Sequence, residues 1–233
     1  MKARAGSITR MSASHLTPTH DLFAAAAAAC GVLAALLKGR ALAVLLEYVP
    51  EGAAFSISTL LRCGAPAGGG SPALAAAEAA RSGDEPLLHI CHRVWGVADF
   101  NIPLRCAADG GKANTLRLCR ALGGTDFDMA LACAARRGHV EIVWLCRAWG
   151  GGDMDLAAAY AACGGKLAVL RLCRAWGATD LDRAMRAGAA TGREPAVRLC
   201  RELGATAFQE AAKSAAAGGH AALAALLSGW GAA

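Results

Sequence analysis

The chain has 233 residues, of which 55% are hydrophobic but only 5% aromatic, because alanine supplies much of the apolar content. This composition argues against a core of bulky side chains and favours closely packed helices. The net charge of +6 is modest, so it is compatible with either a neutral or an acidic partner.

The first 20 residues are rich in Ser, Thr and basic groups, and no acidic residue precedes Asp21. We interpret residues 1–20 as a disordered tail, with a transit peptide as the alternative. The apolar run from Leu22 to Leu37 is too short and too rich in alanine for a membrane span, which needs about 20 strongly apolar residues. We therefore expect no membrane segment, and we interpret residues 21–64 as degenerate helical capping repeats.

Residues 65–71 (APAGGGS) form a linker that is flexible by composition. They separate an irregular N-terminal part from a regular array. Within the N-terminal part, the segment LLEYVPEGAAFSISTLLRCG (Leu45 to Gly64) is similar to an F-box, with a proline after a hydrophobic helix and a later Leu/Cys helix. That resemblance implies an adaptor that recruits ubiquitin-ligase machinery while the repeats hold a substrate. A capping repeat is the interpretation that we favour.

A repeated unit fills the chain from residue 72 onward. Residues 126–152 read DFDMALACAARRGHVEIVWLCRAWGGG, and residues 153–179 read DMDLAAAYAACGGKLAVLRLCRAWGAT. A fixed period of this size indicates a solenoid, in which each repeat buries its apolar face against its neighbours. We expect six repeats over residues 72–233, with a C-terminal cap. Two sets of residues recur every 27 or 28 positions: Cys91, Cys119, Cys146, Cys173 and Cys200, and Gly83, Gly111, Gly138, Gly165, Gly192 and Gly219.

Each repeat is predicted to contain two helices joined at the recurring glycine, where a positive φ is needed. Aspartates open the first helix, because a carboxylate caps free N–H groups and complements the helix dipole. The second helix ends in Trp-Gly or Leu-Gly, whose Trp we interpret as core filler. The expected caps are Asp99, Asp126, Asp153 and Asp180, with Asp128, Asp155 and Asp182 two residues later in the same turn. The expected apolar column is Phe100, Phe127, Met154, Leu181 and Phe208.

The run ALACAARRGHVEIVWLCRAWGG resembles an ankyrin repeat, with its alanine-rich helix, Gly138-His139 turn and Val/Leu helix. The LCRAWGATDxD wording is similar to the short ankyrin repeats of large DNA viruses of protists. Two features depart from the family: the period is 27 rather than about 33, and Met129-Ala130-Leu131-Ala132 replaces the Thr-Pro-Leu-His tetrad. The resemblance implies an all-α, ankyrin-like helix-turn-helix solenoid with short turns between repeats. It also implies recognition of a protein partner through stacked helices and loops.

The ten cysteines could form disulfides in a short secreted chain, but the repeat argues against that interpretation. Equivalent cysteines on neighbouring repeats would lie roughly 8–10 Å apart, beyond the roughly 7 Å between Cα atoms that a bridge tolerates. We therefore expect reduced, buried thiols and an intracellular protein, cytoplasmic or nuclear. No CxxC or His–Cys spacing supports zinc, and we expect neither a metal nor another cofactor.

Arginines recur on the second helices at positions three residues apart, which share one helix face. Stacked repeats would align them into a basic ribbon. The alternatives are a solvated face, which we favour, an acidic protein partner, or a nucleic-acid backbone. Aromatic residues interleave with this ribbon only at Trp144, so base stacking is not supported. The ribbon comprises Arg117, Arg120, Arg147, Arg171, Arg174, Arg198 and Arg201.

No catalytic motif stands out: the chain has no Walker loop and no GxSxG, and its histidines are scattered. We expect His139 and His220, at the helix turn, to make structural hydrogen bonds. The sequence thus predicts a monomeric, non-enzymatic scaffold for a protein partner, with nucleic acid disfavoured. The predicted binding surface is the first helices and the turns between repeats, centred on Asp126, Asp128, Asp153, Asp155, Asp180 and Asp182, with the arginine ribbon as a secondary site.

Overall fold

The computed structural model describes residues 71–231 of the chain. Within this range the chain forms twelve α-helices and no β-strand, which confirms the predicted all-α class. The expected tail, the N-terminal cap, most of the linker and the F-box-like segment lie outside the described residues. The helices are α1 (Pro72–Ser82), α2 (Glu85–Arg93), α3 (Asn101–Gly110), α4 (Ala113–Ala121), α5 (Phe127–Arg137), α6 (Val140–Ala148), α7 (Met154–Gly164), α8 (Leu167–Ala175), α9 (Leu181–Ala190), α10 (Glu194–Glu202), α11 (Phe208–Ala217) and α12 (Ala221–Trp230).

Consecutive helices form six pairs, from α1–α2 to α11–α12, which stack in chain order. The odd-numbered helices, called first helices below, pack closely against the first helices of the neighbouring pairs. The even-numbered second helices contact mainly the first helix of their own pair. The array is therefore tightest along the first helices. In the described part of the chain, no helix is long and apolar enough to cross a membrane.

Aspartates begin three of the first helices, as predicted. The carboxylates of Asp126, Asp153 and Asp180 each accept a hydrogen bond from the backbone N–H three residues later, at 2.8–3.2 Å. Each bond satisfies one N–H group of the first turn, which has no partner within the helix.

The prediction that Asp99 caps its helix in the same way is wrong. Its carboxylate instead accepts from the N–H of Asn101 at 2.8 Å, and α3 begins at Asn101. The reason is Pro103, which lacks the N–H that would donate to the carbonyl of Asp99, the bond that Ala130 makes to Asp126 in the next pair. The first helical bond therefore runs from Leu104 to the carbonyl of Phe100.

Glycines at the ends of the first helices have two different roles. Gly138 has φ +86° and donates its N–H to the carbonyl of Ala134, a left-handed cap that a side chain would strain. Gly164 precedes such a cap, and a Cβ there would overlap the backbone carbonyl of Arg136 in the preceding pair. Glycine at this second position therefore lets two first helices meet backbone to backbone.

Small residues and thiols form the core between helices. Ala134, Ala135, Ala161 and Ala162 are completely buried, so neighbouring helices approach closely. The predicted apolar column is buried at Phe100, Met154 and Leu181 and half-buried at Phe127 and Phe208. The five recurring cysteines are also completely buried, as predicted, and none of the eight cysteines of the described residues forms a disulfide. Burial raises the pKa of Cys119, Cys146 and Cys200 to about 12 and that of Cys173 to about 11.

Candidate functional site

Three surfaces of the stack are described below; outside them, the second helix α6 also exposes Val140 and Trp144, which are 42% and 52% exposed. The closing edge is where each second helix ends and the next first helix begins; it holds the aspartates and the arginine ribbon predicted above. The glycine edge is the opposite one, where each first helix ends at its glycine. The first-helix face lies between the two edges.

On the closing edge, the second aspartate of each repeat bonds to the next pair. Asp155 accepts hydrogen bonds from the backbone N–H groups of Thr179 and Asp180, at 2.6 and 2.8 Å. Asp128 and Asp182 make the same two bonds one repeat earlier and one repeat later. The sequence suggested that these aspartates help to cap their own helices. Each of them instead fixes the following pair. The hydrogen bonds from Asp180 and Thr179 lower the pKa of Asp155.

An asparagine performs the same task between the second and third pairs. The Asn101 side-chain oxygen accepts from the N–H groups of Thr125 and Asp126, at 2.9 and 3.0 Å. A neutral amide thus replaces the carboxylate at the equivalent position. The recurrence of Asn, Asp, Asp and Asp at one repeat position was the available sequence signal for this role.

The arginines of the ribbon lie over the closing tryptophans of the next pair. The guanidinium carbon of Arg120 is 4.6 Å from the ring centre of Trp149, and that of Arg147 is 4.8 Å from Trp176. Arg201 lies 4.5 Å from the Trp230 ring. Aromatic interleaving is therefore extensive, contrary to the sequence-based interpretation. Because the half-buried rings are covered by the chain's own cations, they are filled cation–π sites rather than open stacking platforms.

Other ribbon arginines also have partners within the chain. Leu203 occupies the tryptophan position that follows Arg174, which instead donates to the carbonyl of Ala178 at 2.8 Å. Arg117 pairs with Glu141 at 3.4 Å. Arg198 pairs with Glu194 on its own helix and lies 5.7 Å from the Trp230 ring centre. Most of the predicted ribbon is thus engaged in intrachain contacts, while Arg171 is exposed.

On the first-helix face, apolar side chains occupy one register position of four successive pairs. Leu74 is 68% exposed and Ile102 is 44% exposed, and Met129 and Leu156 are half-buried at the same position. Because neighbouring first helices pack together, these four side chains follow one another along the stack. We call them the apolar row. The half-buried Tyr160 lies one turn further along α7 than Leu156.

At the end of this face, three arginines surround one buried carboxylate. The side chain of Asp109 is only 7% exposed and lies 3.3 Å from Arg81, 2.9 Å from Arg136 and 2.8 Å from Arg137. The hydrogen bond from Arg137 is the main reason that the pKa of Asp109 falls to about 2. The His139 ring nitrogen Nε2 also lies 3.2 Å from the Asp109 carbonyl oxygen, in line with its predicted structural role.

The glycine edge carries a second basic series that the sequence analysis did not identify. The residue after each glycine extends its side chain over the glycine of the preceding pair. Lys112 lies over Gly83 in this way, and His139 lies over Gly111. The sequence signal was weak, because Lys, His and Arg alternate at this position. The later members are Lys166 over Gly138, Arg193 over Gly165 and His220 over Gly192.

Two further features of the described residues bear on the chemistry that the chain can perform. An open polar recess of about 400 Å³ lies between the second helices, with Glu85, Lys112, Thr115 and Glu141 among its lining residues. No group of three His, Cys, Asp or Glu side chains within residues 71–231 is placed to hold a metal ion.

The chain was compared with known proteins. No family model matches it, and no curated protein matches it. Its resemblance to ankyrin repeats therefore depends on the motifs quoted above, and the candidate surfaces depend on the geometry described here.

Proposed function

We propose that this protein is a non-enzymatic scaffold of short ankyrin-like repeats that binds a partner protein through the first-helix face. The observation that carries the proposal is the apolar row, Leu74, Ile102, Met129 and Leu156. A contiguous row of apolar side chains that remain exposed or only half-buried is typical of a protein-binding surface. Solenoids commonly use such an extended face for recognition.

The closing edge differs from the first-helix face, and the difference supports this assignment. Its aspartates bond to backbone N–H groups and most of its arginines cover tryptophans or pair within the chain. Those groups are occupied in holding the stack together. The apolar row has no such internal task, and truncating an exposed side chain in it would remove little buried area.

The ankyrin-like part of the proposal is supported by six helix pairs stacked in chain order and by the Gly138-His139 turn. The short connections between pairs, such as residues 149–153, agree with the reduced period. The recurring cysteines are buried and none of them forms a disulfide within the described residues, which supports an intracellular site of action, cytoplasmic or nuclear.

Site-specific crosslinking in cells tests the proposal. A photoreactive phenylalanine analogue would replace Met129 in the full chain, and Ala148, an exposed residue of the second helix α6, would carry the same analogue as a control. The proposal predicts a discrete protein adduct from position 129 and little or none from position 148. Equal adducts at both positions, or none at position 129 despite normal folding, would contradict it.

A further inference from the structure

The glycine edge and the arginine ribbon differ in how many of their cations contact other side chains of the described residues. Lys112, Lys166 and Arg193 are exposed, and within residues 71–231 none of them has an acidic side chain within ion-pairing distance. Among the exposed ribbon arginines, Arg120 and Arg201 stack on tryptophans and Arg117 and Arg198 pair with glutamates, while Arg171 does neither. Lys166 and Arg193 therefore remain available to a partner, while Lys112 lines an open recess with Glu85 and Glu141 but forms an ion pair with neither.

The stems of these cations are held in place although their charged ends are exposed. A Cβ added at Gly83 would lie 3.1 Å from Cδ of Lys112, and one added at Gly138 would lie 3.0 Å from Cδ of Lys166. The methylene groups thus lie in slots that exist because glycine has no side chain. Long side chains that bury their stems and expose their charge lose less conformational entropy when they bind a ligand.

The cluster around Asp109 adds more positive charge at the same edge. Three guanidinium groups share one carboxylate, which leaves two uncompensated charges. The Arg81, Arg136 and Arg137 side chains are 57%, 43% and 52% exposed. Arg136 uses a single nitrogen to reach Asp109, so its remaining donors can bind another anion. The carboxylate orders the cluster without neutralising it.

We propose that the glycine edge binds an acidic segment of the partner protein, with carboxylate or phosphate groups on Lys112, Lys166, Arg193 and the arginines around Asp109. This inference rests on the proposed scaffold function, because the acidic segment would belong to the same partner protein that the first-helix face binds. Neighbouring helices lie about 8–10 Å apart. A peptide in the polyproline II conformation rises about 3.1 Å per residue and has three residues per turn, so every third side chain lies on the same side, about 9 Å from the last. An anionic side chain at every third residue would therefore keep step with successive repeats, with His139 occupying the position between Lys112 and Lys166.

A peptide fits this edge better than a nucleic acid does. Single-stranded nucleic acids bind where aromatic side chains interleave with basic ones, because the bases stack on the rings. Along the glycine edge, the stretches 81–85, 109–114, 136–141, 163–168, 190–195 and 217–222 contain no Phe, Tyr or Trp.

Fluorescence anisotropy on the full chain tests the inference with four labelled probes. These are a twelve-residue peptide with Glu at every third position, the same peptide with phosphoserine or with Gln at those positions, and a single-stranded DNA of twelve nucleotides. The edge variant is Lys112→Gln, Lys166→Gln and Arg193→Gln together. The matched control is Arg117→Gln, Arg171→Gln and Arg198→Gln, which removes three charges from the ribbon.

We expect the wild-type protein to bind the Glu or phosphoserine peptide at low salt and not the Gln peptide. The edge variant should bind about tenfold more weakly, since each exposed ion pair contributes modestly, while the control variant stays within about twofold. The tighter of the two anionic peptides identifies the carboxylate or the phosphate as the natural group. Circular dichroism verifies that both variants are folded.

Several results would overturn the inference. Equal losses in both variants would show non-specific attraction, and absence of binding to either anionic peptide would remove the site. Tighter binding of the DNA, with the same loss in the edge variant, would assign the edge to a nucleic acid. If the edge variant forms the Met129-position adduct in cells as efficiently as the unaltered edge does, the scaffold proposal stands and this inference fails.

Discussion

The two edges of the stack use charge in opposite ways. On the closing edge, Asp155 bonds to the next pair and Arg147 covers Trp176, so charged groups serve as connectors between repeats. On the glycine edge, the stems of Lys112 and Lys166 are ordered while their ammonium groups remain unpaired within the described residues. The contrast shows that recurrence of a charged residue does not by itself mark a binding site. A recurring charge indicates binding only where the repeat architecture leaves it unused.

The largest effect is expected from Asp155 on the closing edge. Asp155→Ala leaves two backbone N–H groups of the next pair without their acceptor, and we expect the free energy of unfolding to fall by about 2–3 kcal/mol. Asp155→Asn is the matched control, because Asn101 makes the same two bonds with a neutral amide. Urea unfolding measures both variants. Equal stability of Asp155→Ala and wild type would contradict the connector role.

The second prediction concerns Asp109, a buried carboxylate of the glycine edge. Its pKa of about 2 lies below the ordinary 3.8, so its contribution to stability is present above pH 4 and disappears as the pH falls through about 2. Asp109→Asn should therefore lower the free energy of unfolding by about 2 kcal/mol at pH 7.

The pH dependence separates this effect from a simple packing defect. The stability difference between wild type and Asp109→Asn should shrink steadily between pH 4 and pH 2 in urea titrations. A difference that stays constant over this range would show that the ionised carboxylate is not its source.

A smaller effect is expected where Arg147 covers Trp176. The single variants Arg147→Gln and Trp176→Leu, together with the double variant, form a thermodynamic cycle; leucine is the natural residue at the equivalent position 203. We expect a coupling energy of about 0.5–1 kcal/mol, typical of an exposed cation–π contact. A coupling of zero would mean that Arg147 is as free as the cations of the glycine edge.

Much of the fold follows from local rules whose residues can be identified in the repeated sequence. The caps at Asp126, Asp153 and Asp180 and the left-handed glycine at Gly138 each depend on residues within one helix end, so periodicity was sufficient to predict them. The exception, Asp99, depends on Pro103, whose missing N–H delays the start of α3.

The connections between repeats could not be predicted in the same way. Asp155 bonds to residues 24 and 25 positions further along the chain, and Arg147 stacks on a ring of the next pair. Periodicity shows that such residues recur, but not which group of the neighbouring repeat each one meets. The glycine edge was missed because Lys, His and Arg alternate at this position, so no single residue type recurs there.

The measurement that tests the contrast between the edges most directly is urea unfolding of two triple variants with equal loss of charge. Lys112→Gln, Lys166→Gln and Arg193→Gln should leave the free energy of unfolding within about 0.5 kcal/mol of wild type. Arg120→Gln, Arg147→Gln and Arg201→Gln should lower it by roughly 2 kcal/mol, because three cation–π contacts are lost. Equal destabilisation by the two triple variants, or a greater loss from the glycine-edge variant, would contradict the account.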